Sequence, residues 1–149
     1  MVRNTAREIA IHLSYELSFT DRGVDELLDD RLTAETFATL AGEDAIYAEA
    51  PNAKQAAYIE STLCGIEEKR EELERYIRKY AIGWDFKRIS RTARAIMLLA
   101  MYECLYVHDV PTSAAISEAV ELTRKYEDED VVSFVNGILG AFAREVAPA

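Results

Sequence analysis

Residues 101–139 read MYECLYVHDVPTSAAISEAVELTRKYEDEDVVSFVNGIL. Asp109-Val110-Pro111 separates two helical patterns, because proline is tolerated in a first helical turn and breaks a helix interior. Upstream, Ala93, Ile96, Leu99, Ala100 and Cys104 recur at three- and four-residue steps, which predicts a helix from about Ser90 to Tyr106. It is the most apolar segment and is expected at the centre of the fold. Downstream, a helix over 112–126 buries Ile116, Ala119, Val120 and Thr123. The acidic loop Glu127-Asp-Glu-Asp130 leads into a last helix, about 131–146, with Val131, Val135, Ile138 and Phe142 as its stripe. Negative charge at its start favours the helix dipole.

The same periodicity extends toward the N-terminus. Residues 3–19 form an amphipathic helix with Ala6, Ile9, Ala10, Leu13 and Leu17 on one face. Arg3, Arg7, Ser14 and Ser18 are expected on the other, with Tyr15 at the edge. Asp21-Arg-Gly23 is a turn, and Val24 to Leu32 a short acidic helix. Thr33 to Ala50 also reads as helical, interrupted in pattern by Gly42. Pro51 is expected at the first position of the next helix, a long or kinked one over 53–80, whose apolar stripe is Tyr58, Ile59, Leu63, Ile66, Leu73, Tyr76, Ile77 and Tyr80. Glu67 to Glu72 is a solvated charge run. Gly83 ends this helix, and Trp84 and Phe86 are expected to cap the core between two lobes. No strand pattern, repeat or low-complexity segment appears.

At 149 residues the chain suits one domain or two small lobes sharing a core. A chain of that size buries roughly 70% of its unfolded surface, so neither a disulfide nor a metal is required for stability. Cys64 and Cys104 sit in apolar helical patterns and read as reduced core thiols of a cytoplasmic protein. No apolar run approaches the ~18 residues of a membrane span, and the start of the chain lacks the apolar core of a signal peptide.

The net charge of −10 by itself disfavours nucleic-acid binding. Its distribution is uneven. Residues 20–60 hold ten acids and three bases, whereas 84–94 holds Lys87, Arg88, Arg91 and Arg94 against Asp85 alone. With Arg3 and Arg7 on the first helix, a small basic face on an acidic body is expected. Arg3 and Arg7 lie one turn apart and can follow one phosphate track, with Tyr15 as a stacking plane; the alternative is an ordinary solvated face. Arg88, Arg91 and Arg94 form either a basic stripe or a helix edge paired with local acids. Asn136-Gly137 stands mid-helix, an unfavourable place for two weak helix formers. Either Gly137 allows close packing and Asn136 caps a neighbouring backbone group, or Asn136 faces a ligand. His12 and His108 have no spaced ligand partners, so no metal role is assigned to them. No nucleophile elbow, Cys-His pattern or phosphate loop is present, and neither an enzyme nor a cofactor is expected.

Several motifs resemble one family. They are Ala6-Arg7-Glu8 followed by Ser14-Tyr15, Trp84 followed by Arg88-Ile89-Ser90, and Ile96 to Ala100 followed by Met101-Tyr102-Glu103-Cys104. Asp109-Val110-Pro111, Ala115-Ile-Ser117-Glu118-Ala-Val-Glu121-Leu-Thr-Arg124 and Phe134-Val-Asn136-Gly137-Ile-Leu139 complete the set. Their order and spacing resemble the NusB transcription antitermination factors, ungapped over 84–140 and more loosely over 3–19. The resemblance implies an all-α fold of two packed three-helix lobes and about seven helices, with lobes of about 1–83 and 84–149. It implies a non-enzymatic role in the cytoplasm: binding boxA-type single-stranded RNA together with NusE, a small ribosomal-subunit protein, within the RNA polymerase antitermination complex, as a monomer or homodimer. By position, Arg3, Arg7, Phe134 and Asn136 fall at the RNA, and Tyr15, Lys87, Arg91 and Arg94 at NusE.

Four features depart from the family pattern. The Arg cluster before Ala-Arg-Glu is thinned to Arg3, Ser117 replaces an Asn, Leu98 replaces an Arg, and Ala93 stands where the family often has an acidic residue, which bears on NusE docking. The first motivates an alternative, an acidic protein–protein scaffold of the same fold that has lost most RNA binding. An RNA-modifying enzyme, suggested because this domain also occurs fused to RNA methyltransferases, lacks a Gly-rich cofactor loop here.

Overall fold

The computed structural model describes residues 3–146. The chain is all-α, with helices α1 (Arg3–Leu17), α2 (Val24–Arg31), α3 (Ala34–Leu40), α4 (Ala53–Tyr80), α5 (Arg91–Tyr106), α6 (Thr112–Tyr126) and α7 (Glu129–Val146). Two 3-10 turns lie at Ala45–Tyr47 and Phe86–Arg88. Among the described residues there is no strand, and no helix is long and apolar enough to cross a membrane. The chain divides into two compact units, Met1–Gly65 and Ile66–Ala149, and the division falls inside α4.

In the first unit, α1 buries the expected Ala6, Ile9, Ala10, Leu13 and Leu17. It also buries Arg7, Glu8, Ile11 and Ser14, so α1 is covered on more than one side. α2 carries Asp25 and Glu26 in its first turn and Arg31 in its last, each matched to the helix dipole. Thr33 caps α3, its hydroxyl accepting the Thr36 N–H at 3.1 Å. The helix expected to run on to Ala50 stops at Leu40. Past Gly42, Asp44 accepts the Ile46 N–H at 3.1 Å and starts a separate turn. A short acidic side chain competing for backbone donors favours a cap over a helix interior.

Asn52, rather than Pro51, organises the start of α4. The Asn52 N–H donates to Gln55 Oε1 and the Gln55 N–H to Asn52 Oδ1, both at 2.9 Å. This reciprocal pair satisfies two helix-end donors and leaves Pro51 outside the helix. Ile59 and Leu63 of α4 are fully buried in the first unit, as are Ile66, Leu73 and Ile77 in the second. Cys64 faces solvent instead of the core, because Leu63 and Ile66 take the buried side. Both cysteines are free.

In the second unit α5 is central, as its composition predicts. It packs on α6 and α7, which also pack on each other. Residues 95–101 of α5 are buried without interruption. Ser90 caps α5 by accepting the Ala93 N–H at 3.0 Å, and its hydroxyl donates to Glu127 at 2.7 Å. α7 starts at Glu129, two residues earlier than its pattern predicts. Asp128 accepts the Val131 N–H at 3.0 Å and so caps it. The buried stripe there is Val132, Val135, Ile138, Leu139 and Phe142. Phe142 meets the Tyr76 ring edge-on at 4.9 Å.

Candidate nucleic-acid and protein interfaces

Each unit presents its own set of aromatic and cationic side chains. In the first, Arg3 is exposed, with its guanidinium 5.0 Å from the centre of the Tyr58 ring. This contact holds the cation near an aromatic face while leaving it open to solvent. Arg7 differs from its expected solvated position. It is 7% exposed, and its guanidinium donates to Asn4 Oδ1. Ser14, at 2%, is buried as well. The second covered side of α1 accounts for both, so Arg3 and Arg7 are not presented as an equal pair. Tyr15 is exposed, its ring 4.9 Å from the more exposed Phe19 in an edge-on arrangement. Together they form an aromatic edge at the C-terminal end of α1.

In the second unit, Gly83 adopts φ +80, a left-handed conformation that suits a residue without Cβ and turns the chain after α4. Trp84 follows. It is 58% exposed rather than a core cap, with its ring 4.9 Å from that of Phe134 and tilted by 56°. Phe86 holds the guanidinium of Arg78 at 4.2 Å and that of Arg94 at 5.0 Å. Arg94 is half-buried, and its Nε lacks a hydrogen-bond partner. Burial above all, and then nearby Arg91, lower its pKa; Arg70 adds to this and Glu74 opposes it. Lys87, Arg88 and Arg91 are exposed. Asp85 accepts the Lys87 N–H at 3.0 Å and shapes the turn that carries Lys87 and Arg88. The expected three-residue stripe is thus two solvent-exposed residues, Arg88 and Arg91, and a third, Arg94, laid against an aromatic ring.

Phe134 and Asn136 do not share a face. Two residues along an α-helix correspond to a rotation of about 200°. Phe134 turns toward Trp84, whereas Asn136 lines an open cavity of about 610 Å³ with Thr112, Ile116 and Ser117 of α6. Asn136 and Gly137 are both exposed, and nothing lies within 4 Å of where a Cβ on Gly137 would stand. Close helix packing therefore does not explain this glycine.

One grouping escaped the sequence pattern. Glu8, His12 and Asp44 bring one potential ligand atom each to within 4.8 Å of one another. His12 Nδ1 lies 2.6 Å from the Tyr47 hydroxyl. Burial, followed by the carboxylates of Asp44, Glu8 and Glu16, pushes the Tyr47 hydroxyl up to about 12. The visible signal was the four-residue step from Glu8 to His12; Asp44 joins only through the fold.

Known proteins match this architecture throughout. A family profile described as "NusB family" covers residues 4–144. The Transcription antitermination protein NusB of Carboxydothermus hydrogenoformans is 36% identical over 146 residues, 98% of this chain and 95% of that protein. The protein of the same name from Symbiobacterium thermophilum is 35% identical over 144 residues, 97% of this chain and 90% of its own length. A solved structure of T. maritima NusB superposes with a TM-score of 0.82 at 26% identity, covering 99% of this chain and 94% of that one. With both sequence and fold shared from end to end, this chain belongs to the NusB family.

Proposed function

We propose that this protein is a transcription antitermination factor that binds boxA-type single-stranded RNA together with NusE, in the cytoplasm, as part of the RNA polymerase antitermination complex. It acts by binding rather than by catalysis. The observation that carries this reading is the family match over residues 4–144, with relatives named as antitermination proteins along nearly their whole length. The side chains supply suitable chemistry. Exposed Arg3 offers a phosphate contact. Phe134, paired with Trp84, offers a stacking surface for an unpaired base. Asn136 offers an amide to a base edge, and Arg7 sets the shape of the α1 start through Asn4. Tyr15, with Phe19, and the cations Lys87, Arg91 and Arg94 are assigned to NusE.

A second reading follows from the burial of Arg7. With one fewer open cation on α1, the protein acts chiefly as an acidic scaffold, monomeric or homodimeric, and contributes little RNA affinity of its own. Fluorescence anisotropy of a labelled boxA RNA separates the two. The protein is titrated alone, then with NusE, then as Arg3→Ala. Affinity that rises with NusE and falls in the variant supports RNA binding. NusE association without RNA binding supports the scaffold.

A further inference from the structure

We propose that Glu8, His12 and Asp44 form a binding site for one divalent transition-metal ion of the zinc class, tying α1 to the Ala45–Tyr47 turn. Glu8 and His12 stand four residues apart on α1 and so project from one helix face. Asp44 arrives from 36 residues beyond Glu8 in sequence, at the start of the 3-10 turn. The three ligand atoms lie within 4.8 Å of one another. Two ligands of one zinc ion are at most about 4.2 Å apart, so small side-chain rotations close the site. One imidazole and two carboxylates with an open fourth position form a donor set that zinc accepts.

The surroundings favour a cation. Glu8 is 7% exposed and Asp44 is partly buried, so two carboxylates share a weakly solvated space. Like charges at such separation repel, and a divalent ion offsets both. Asp44 accepts the Ile46 N–H through Oδ1, which fixes the direction of its carboxylate. The Tyr47 hydroxyl, 2.6 Å from His12 Nδ1, holds the imidazole as an outer partner does in metal sites. A cavity of about 480 Å³ reaches His12 and Tyr47, with Glu16 and Arg31 also in its lining.

The test is calorimetric titration of zinc chloride into the chelator-treated full chain, with thermal melting in parallel. The expected result is one ion per chain and a zinc-dependent rise in Tm. His12→Gln and Asp44→Asn should each weaken binding by at least about tenfold, and Tyr47→Phe by about tenfold. Asp44→Asn retains an acceptor for the Ile46 N–H, so it carries the test alone should His12→Gln fail to fold. Absence of saturable zinc binding overturns the proposal. So does zinc binding of unchanged affinity in Asp44→Asn, which would place the ion elsewhere on this acidic surface.

Discussion

The ring of Trp84 rests 4.9 Å from the ring of Phe134, and Trp84 is the only tryptophan in the chain. Tryptophan emission, excited selectively over the eight tyrosines, therefore reports on this one place. Addition of boxA RNA should change the Trp84 emission. Phe134→Ala should cost about 1–3 kcal/mol of RNA affinity, roughly 5- to 150-fold, the usual worth of one base stacked on an aromatic ring. An unchanged spectrum and unchanged affinity would remove this pair from the RNA surface.

The two α1 arginines should behave differently, because one is open and the other buried. Arg3→Ala should leave stability within about 0.5 kcal/mol while reducing the salt slope of RNA binding by about 1. Arg7→Ala should lower stability by about 1–2 kcal/mol, since it removes a packed stem and the partner of Asn4. Urea unfolding of both variants, alongside RNA titrations at several salt concentrations, separates the effects. Equal destabilisation by both would contradict the difference in burial.

Ser90 serves two elements, capping α5 and donating to Glu127 at the end of α6. Ser90→Ala should cost about 1–2 kcal/mol in urea unfolding, and Ser90→Asn much less, because asparagine caps equally well. A neutral Ser90→Ala would mean that water replaces both bonds at little cost.

Thiol reactivity should also split. Burial pushes the Cys104 thiol from its ordinary 9.0 up to about 11, whereas Cys64 is exposed, with a raised pKa as well. A disulfide reagent at pH 8 should label Cys64 first. Labelling of Cys104 should accelerate about tenfold per pH unit as the pH climbs toward 11, since the thiolate is the nucleophile. The folded state holds the Cys104 proton more tightly than the unfolded chain does. This residue's stabilising contribution is therefore complete below pH 9 and is lost as the pH rises through 11. Peptide mapping after timed labelling checks the order.

Features set within one or two helical turns were legible in the sequence. Pro111 and Gly83 mark real helix boundaries, and the apolar steps of α1, α4 and α5 name most of the buried residues. In α6 the expected Ala119 and Thr123 are buried with Ala115, whereas Ile116 and Val120 are only half-buried and line the open cavity beside Asn136. The misses are of two kinds: helix ends set by local caps at Asp44, Asn52 and Asp128, which apolar periodicity does not place, and burial that depends on a partner remote in sequence. Periodicity places Arg7 and Ser14 opposite the main apolar stripe, but it does not reveal that α1 has a second covered side. Cys64 sits between Leu63 and Ile66 in an apolar run, and only packing decides which of them turns inward. Trp84 looks like core by its chemistry, yet it stands exposed on the loop beyond a left-handed glycine, with its ring against Phe134 of α7. Likewise Asp44 ends the preceding helical pattern by local capping, while its approach to Glu8 and His12 is a tertiary event.

The division between the two compact units has a practical corollary. It falls between Gly65 and Ile66, within the unbroken 28-residue α4, not in a loop. A protease seeking an extended, accessible stretch finds none at that position. Splitting the gene there would leave each fragment with a severed helix end and several backbone groups without partners. A fragment meant to isolate one half should therefore carry α4 whole, and surplus apolar side chains on the retained portion would then need masking for solubility.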